Sequence, residues 1–237
     1  MDQFSRTELL IGKDNIEKLH NSKVAVFGLG GVGSFVVEGL ARAGIGSFIL
    51  VDNDTISETN INRQLFATHK TIGMPKVQVA KERILDINPN AKVEVYQEFF
   101  MPESNLSIIN DNIDYVVDAI DTITAKIEII KQCKDKGISV ISCMGTGNKL
   151  DPSQFEIADI YHTSVCPLAK VMRKKLRELN IDNLKVLYSK EEPIKIEPNE
   201  DAEQKGNSIA PGSISYVPSV AGLMIAGEVI QDLIKKV

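Results

Sequence analysis

Tryptophan is absent from this chain, and cysteine is scarce. The three cysteines, Cys133, Cys143 and Cys166, are odd in number and widely spaced, which argues against a disulfide framework. No C-x-x-C pair occurs, so the cysteine tetrad of a structural zinc site is excluded. The opening Met1-Asp2-Gln3-Phe4-Ser5-Arg6 does not follow the charged-then-apolar plan of a secretory signal. Long apolar runs are missing too. The most apolar stretch, 217–234, is interrupted by Glu228, Gln231 and Asp232 and reads as a buried helix rather than a membrane span. The expectation from these absences is a cytoplasmic protein in a reducing compartment, with no membrane partner. Basic charge is not in excess either. At a net charge of −5, bulk electrostatics do not announce a nucleic-acid binder, and any polyanion must be held by a local basic patch.

What is present is an alternation of short β-rich runs and helical stretches. Strands are expected at 24–27, 47–51, 93–97, 114–117 and 138–142, with helices at 32–43, 74–88 and 124–136. Such alternation implies right-handed βαβ units and a parallel sheet. After Cys143 the pattern predicts strands at 155–161 and 184–189 around a helix from Pro167 to about Leu179. An acidic, Pro-containing loop over 190–208 is expected to be long and mobile, with 211–218 reading as a further extended segment. The fold class expected is α/β: a Rossmann-like, doubly wound, mostly parallel sheet extended by antiparallel strands. The chain reads as one domain over 1–237, with a nucleotide-binding half at 1–150 and a sheet extension with a C-terminal helix at 151–237.

Three signals define a candidate site. The first is Gly28-Leu29-Gly30-Gly31-Val32-Gly33-Ser34, which follows a strand and opens a helix. Glycines there permit a tight turn and close backbone approach to phosphate, and the helix start adds N–H donors. Asp52 ends the next strand, where an acid reads ribose hydroxyls. Alone, this pattern describes a dinucleotide site, with a nicotinamide dehydrogenase as the default. The second signal is Asn60-Ile61-Asn62-Arg63-Gln64, followed by Gly73-Met74-Pro75-Lys76. Arg63 and Lys76 suit a triphosphate better than a neutral nicotinamide ring, the one as a fork and the other as a point charge. The third is Asp118-Ala119-Ile120-Asp121 at a strand end. Asp121 there faces the phosphates, where Mg²⁺ needs one or two carboxylates. Asp118 is the more structural of the two.

In this order, Arg6, the glycine loop, Asp52, Asn60, Arg63-Gln64, Lys76 and Asp118 to Asp121 resemble a known family. It is that of the adenylating enzymes related to ubiquitin activators and to activators of bacterial sulfur-carrier proteins. The resemblance implies ATP and Mg²⁺ as cofactors, an acyl-adenylate with release of pyrophosphate, and a homodimer in which Arg6 reaches the neighbouring nucleotide. It implies that Gly28, Gly30, Gly31 and Gly33 cradle the nucleotide and that Asp52 holds the ribose. Arg63, Lys76 and Arg6 would hold phosphates, Asn60 and Gln64 would support them, and Asp121 would hold the metal.

Further motifs narrow the resemblance. They are Phe4-Ser5-Arg6-Thr7-Glu8, Asp151-Pro152-Ser153, Asp159-Ile160, Pro167-Leu168-Ala169-Lys170, Pro211-Gly212-Ser213 and Val217-Pro218-Ser219. These are similar to the branch whose members use ATP to cyclise the threonylcarbamoyl group on adenosine 37 of tRNA. That branch lacks the zinc tetrad, as does this chain. Lys170, Arg173, Lys174 and Arg177 fall at i, i+3, i+4 and i+7 of the predicted helix, a stripe suited to tRNA, with Leu168, Val171, Met172, Leu176 and Leu179 expected on the buried side. Two enzyme readings stay open beside this one: adenylation of a ubiquitin-like sulfur carrier, and the dehydrogenase. A sulfur-transfer protein stays open as a partner. So does a pure interaction module, although retention of every charged site residue speaks against it. His69 and His162 are candidate bases for ring closure, and Cys166, at a helix start, is a candidate nucleophile.

Overall fold

Strand β1 (Lys23–Phe27) buries Val24, Ala25, Val26 and Phe27 completely, the mark of a central parallel strand covered on both faces. The structure, a computed structural model, describes residues 2–101, 108–196, 204–205, 208–209 and 211–235. Its main sheet has seven strands. After β1 come β2 (Ser47–Val51), β3 (Lys92–Tyr96), β4 (Tyr115–Asp118) and β5 (Ser139–Cys143), then β6 (Phe155–Asp159) and β7 (Lys185–Ser189). The spatial order is β3-β2-β1-β4-β5-β7-β6. All neighbours pair in parallel except β6, which runs antiparallel to β7. The expected antiparallel extension is therefore half right. β7 continues the parallel sheet on β5, and only the outermost strand reverses.

Helices cover both faces. These are α1 (Ser5–Ile11), α2 (Lys13–Asn21), α3 (Gly33–Ala43), α4 (Lys76–Ile87), α5 (Ile123–Lys136), α6 (Pro167–Glu178) and α7 (Tyr216–Lys235). Alternating strand residues feed two cores. Val24, Val26, Phe48, Leu50 and Val117 meet α2, α3, α4 and α7 on one side. Ala25, Phe27, Ile49, Val51 and Val116 meet α5 and α6 on the other. The period-2 alternation of a strand thus sorts one apolar run into two layers.

Helix α7 is long and apolar enough to cross a membrane by length and composition, yet it packs as a core helix. Val217, Ala221, Ile225, Ala226, Val229 and Leu233 are buried, and small residues bring it close to α3. A Cβ on Gly39 would lie 2.7 Å from Ala226 Cβ, and one on Gly222 would lie 2.4 Å from the Val32 carbonyl oxygen.

Three local expectations are corrected. Residues 216–218 are helical rather than extended, because Pro218 sits in the first turn of α7, where no backbone N–H is needed. Pro75 precedes α4 as its cap instead of lying inside it. Within 190–208, residues 190–194 are tied to 148–154: Lys190 N donates to Gln154 O and Ile194 N to Asn148 O. Gln204–Lys205 pairs with Ser208–Ile209 as a short antiparallel ladder. The expected mobility of the remainder, 197–203 and 206–207, lies outside the described residues.

One ionic cluster binds α3 to α4. Glu38, nearly buried, accepts hydrogen bonds from Arg42 Nε at 2.7 Å and from Arg83 Nε and Nη2 at 2.9 and 2.8 Å. Burial pushes Glu38 up, but bonds from Arg83 and Arg42 outweigh it and hold the carboxyl below its ordinary value. Glu38→Gln should therefore cost about 1.5–3 kcal/mol at neutral pH, read by urea unfolding. A depressed folded pKa contributes stability above the unfolded value and loses it as pH falls through the folded one. The gap between variant and parent should accordingly narrow in acid, and a gap that widened there would contradict the assignment.

Candidate nucleotide site

A cavity of about 540 Å³ opens beyond the carboxyl ends of β1, β2, β4 and β5. It straddles β1 and β4, where the strand order reverses and where open α/β sheets bind ligands. Its volume suits a nucleotide-sized molecule.

Two glycines shape the floor for steric reasons. Gly28 has φ +87°, and a Cβ there would meet the Ala119 carbonyl oxygen at 2.8 Å. A Cβ on Gly33 would lie 1.8 Å from the Gly28 carbonyl oxygen. Gly33 thus lets α3 start tightly against the loop. Gly28, Gly30 and Gly31 line the cavity and Gly33 stands just behind them. The positive end of α3 lies at this loop.

Asp52, Asn60, Arg63, Gln64, Lys76 and Asp121 all line the same cavity. The structure brings these six side chains to one cavity. Asp52 Oδ2 accepts from Leu29 N at 2.6 Å and Oδ1 from Asp54 N at 2.9 Å, which locks the acid to the glycine loop. Burial raises its pKa, with Lys76 and those two N–H groups opposing. Lys76 is itself buried, and its Nζ meets Asp54 Oδ2 at 2.6 Å and Asp52 Oδ1 at 3.9 Å. Arg63 is half-buried and donates from Nη1 to Thr59 O and Asn62 Oδ1, each at 2.9 Å. Asn60 Oδ1 accepts from Ser57 N at 3.2 Å in a capping box. Asp121 is exposed at the rim.

Sequence reasoning missed several wall residues. Asp54 carries the signal of a second acid two positions after Asp52. Residues 144–147, Phe99 and Phe100 also line the cavity with nothing in their local pattern to mark them, and so do Pro211 and Ser213, which the sequence offered only as part of a family motif. The chemistry available is clear. An acid stands ready for hydroxyls, two cations and a helix start for phosphates, and a rim carboxylate for a divalent ion. Mg²⁺ at phosphate sites takes one or two protein carboxylates and keeps waters, and Asp121 fits that mode.

Other expected residues stand apart. Arg6, on α1, is exposed and outside the cavity of its own chain. His69 and His162 are exposed and do not line it. All three cysteines are buried, and burial pushes the Cys133 and Cys143 thiols up to about 12. On α6 the buried residues are Ala169, Met172 and Leu176, whereas Val171 and Leu179 are exposed, against expectation. A narrow i, i+3, i+7 stripe suffices because α6 touches only one layer. Arg173 donates through Nη1 to Thr163 O at 3.1 Å and to Thr163 Oγ1, and Arg177 lies 5.2 Å over the Tyr161 ring. Lys170 and Lys174 are exposed.

Comparison with known proteins gives a consistent picture. A family model described as the ThiF family matches residues 4–236. The tRNA threonylcarbamoyladenosine dehydratase of Bacillus subtilis (strain 168) is 46% identical over 245 aligned residues, covering 100% of this chain and 96% of that protein. The protein of the same name from Escherichia coli (strain K12) is 35% identical over 74% of this chain and 65% of its own length. The crystal structure of the E. coli enzyme in complex with ATP superposes with a TM-score of 0.89 at 28% identity, covering 99% of this chain and 94% of that one.

Proposed function

This chain belongs to the ThiF family, and from that premise we propose that it is an ATP-dependent tRNA threonylcarbamoyladenosine dehydratase. The observation that carries the reading is the cavity that gathers Asp52, Arg63, Lys76 and Asp121 around the Gly28 loop. The end-to-end similarity to proteins of that name supports it.

A carboxylate oxygen is too poor a leaving group to be displaced directly. Attack of the substrate carboxylate on the α-phosphorus of ATP forms a mixed anhydride and expels pyrophosphate. A nucleophile of the same modified nucleoside then attacks the acyl carbon, closes a ring and expels AMP, which carries away the carboxylate oxygen. Asp52 orients the ribose, and the glycine loop fixes the nucleotide. Arg63 and Lys76 hold phosphate oxygens as charge shifts onto them. Asp121 would hold Mg²⁺, which when bound would neutralise phosphate charge. The attacking group lies within the substrate at high effective concentration, so the route needs no enzyme thiolate, consistent with three buried cysteines. That burial speaks against a thioester or persulfide carried on this chain. Incubation with ATP, Mg²⁺ and modified tRNA, then digestion and mass analysis, should find the modified nucleoside lighter by one water. An unchanged nucleoside with intact ATP would refute the reading.

A homodimer is part of the same proposal. Leu9 and Leu10 are each 87% exposed on α1, which buries no residue in its own chain. Arg6 lies on that helix. A second copy covering this face would bring Arg6 to the neighbouring cavity. The reading places the enzyme in the cytoplasm, with its tRNA.

For tRNA we assign Lys170, Lys174 and Arg177 as contacts. Arg173, tied to Thr163, shapes the base of the stripe. Neutralising Lys170 and Lys174 together should flatten the salt dependence of tRNA binding by roughly 1.5 log–log units, at about 0.7–0.9 per phosphate contact. ATP affinity should not change. A salt slope equal to that of the parent would move the tRNA elsewhere.

A further inference from the structure

Beneath the cavity lies the only ion pair, among the described residues, with both side chains fully buried: Lys126 and Asp118, at 0% exposure each and 2.9 Å apart. Ser142 completes a triad. Its Oγ donates to Asp118 Oδ2 at 2.5 Å and accepts from Lys126 Nζ at 3.3 Å. The other Asp118 oxygen, Oδ1, accepts from Ile120 N at 3.3 Å. The three residues come from the last position of β4, the first turn of α5 and β5.

Taking two charges out of water is expensive, and an apolar pair of similar volume often serves stability as well or better. What the pair adds is geometry. Residues 119–122, between its two ends, form a turn that lines the cavity and carries Asp121. The same turn presses on the glycine loop, through the Ala119 oxygen that forbids a side chain at Gly28. We infer that Lys126 is a positioning residue of the nucleotide site: its pair with Asp118 braces the 119–122 turn and so sets where Asp121 meets the triphosphate. Lys126 itself does not line the cavity.

This inference rests on the reading of Asp121 given above, and the test separates the two. Lys126→Met alone would strand a buried carboxylate, so the variant of choice is Asp118→Asn with Lys126→Met, which removes both charges and keeps a polar group for Ser142 and Ile120. ATP affinity is measured by titration calorimetry in the presence of Mg²⁺, with and without Asp121→Asn, alongside thermal melting. The pair variant should bind ATP about tenfold more weakly when Asp121 is intact and less than about twofold more weakly when it is already replaced, the non-additivity expected of groups acting through one another. Lys126→Arg, which keeps the charge, should restore most of the affinity. Equal losses in both backgrounds would make the triad merely structural and overturn the inference alone. Normal affinity in Asp121→Asn would overturn the role of Asp121 and the inference with it. If the pair variant does not fold, Ser142→Ala deletes the shared hydroxyl while leaving both charges. The same cycle should then show a smaller loss, about threefold, again confined to the Asp121 background, and no loss would overturn the inference.

Discussion

Asp121→Ala and Arg63→Ala should each reduce AMP release from ATP and modified tRNA by at least about a hundredfold, the scale on which preorganised charge acts in a transition state. The ground-state loss is smaller, about 1.5–3 kcal/mol for a charge-assisted contact, so turnover should suffer more than ATP binding. Both sites suit the experiment physically. Asp121 is exposed at the rim and holds up no core. Arg63 is anchored through Nη1 to Thr59 and Asn62, so the Nε and Nη2 edge of the guanidinium is the one to offer a phosphate fork. Lys76→Ala is a poorer probe. It would leave Asp52 and Asp54 facing each other without their buried cation, mixing stability loss with catalysis. The melting temperature of Asp121→Ala should stay close to the parent's, since exposed positions rarely change stability by more than about 0.5 kcal/mol, while half-buried Arg63→Ala also gives up its bonds to Thr59 and Asn62 and should melt somewhat lower. AMP release at the parental rate by Asp121→Ala would remove this carboxylate from the metal site.

Mixing two inactive proteins should restore activity. Arg6 is exposed on α1 and lies outside its own cavity, beside Leu9 and Leu10, whose exposure invites a second copy. In a mixture of Arg6→Ala and Asp121→Ala chains, a mixed dimer holds one site with native Asp121 and native Arg6 of the partner subunit. With random exchange in a two-fold dimer, half the dimers are mixed and half their sites complete, so activity should return to roughly a quarter of the parental value. Subunit exchange is followed with differently tagged chains. No recovery despite demonstrated exchange would mean that Arg6 serves its own chain or none.

Much of this molecule is legible residue by residue. β2 runs over Ser47–Val51 as its short β-rich run predicts, and α3 starts where the glycine loop ends. Asp52, Arg63, Lys76 and Asp121 share one cavity, because strand ends and the loops after them face the same side of a parallel sheet. Local chemistry suffices there: glycine where a side chain cannot fit, an acid at a strand end, cations in the following loop. The misreadings occur where local pattern is silent about neighbours. Val171 and Leu179 have helical spacing but meet no second layer. Residues 211–218 read as extended, yet Pro218 sits in a helical first turn that tolerates it.

By itself, then, the sequence determined the α/β alternation, the glycine loop and the charged set around it, since each depends on residues close along the chain. Only the tertiary structure decided that β7 runs parallel to β5, that Gly33 packs against the Gly28 carbonyl, that Lys76 is held by Asp54, and that Lys126 is buried. In sequence, Lys126 is one of four lysines on α5. Its partners Asp118 and Ser142 lie eight and sixteen residues away, and they meet it only because β4 and β5 pair in register with Asp118 opposite Ser142. The free energy that selects such a contact comes from desolvation and geometry across the sheet, and neither is written in local spacing.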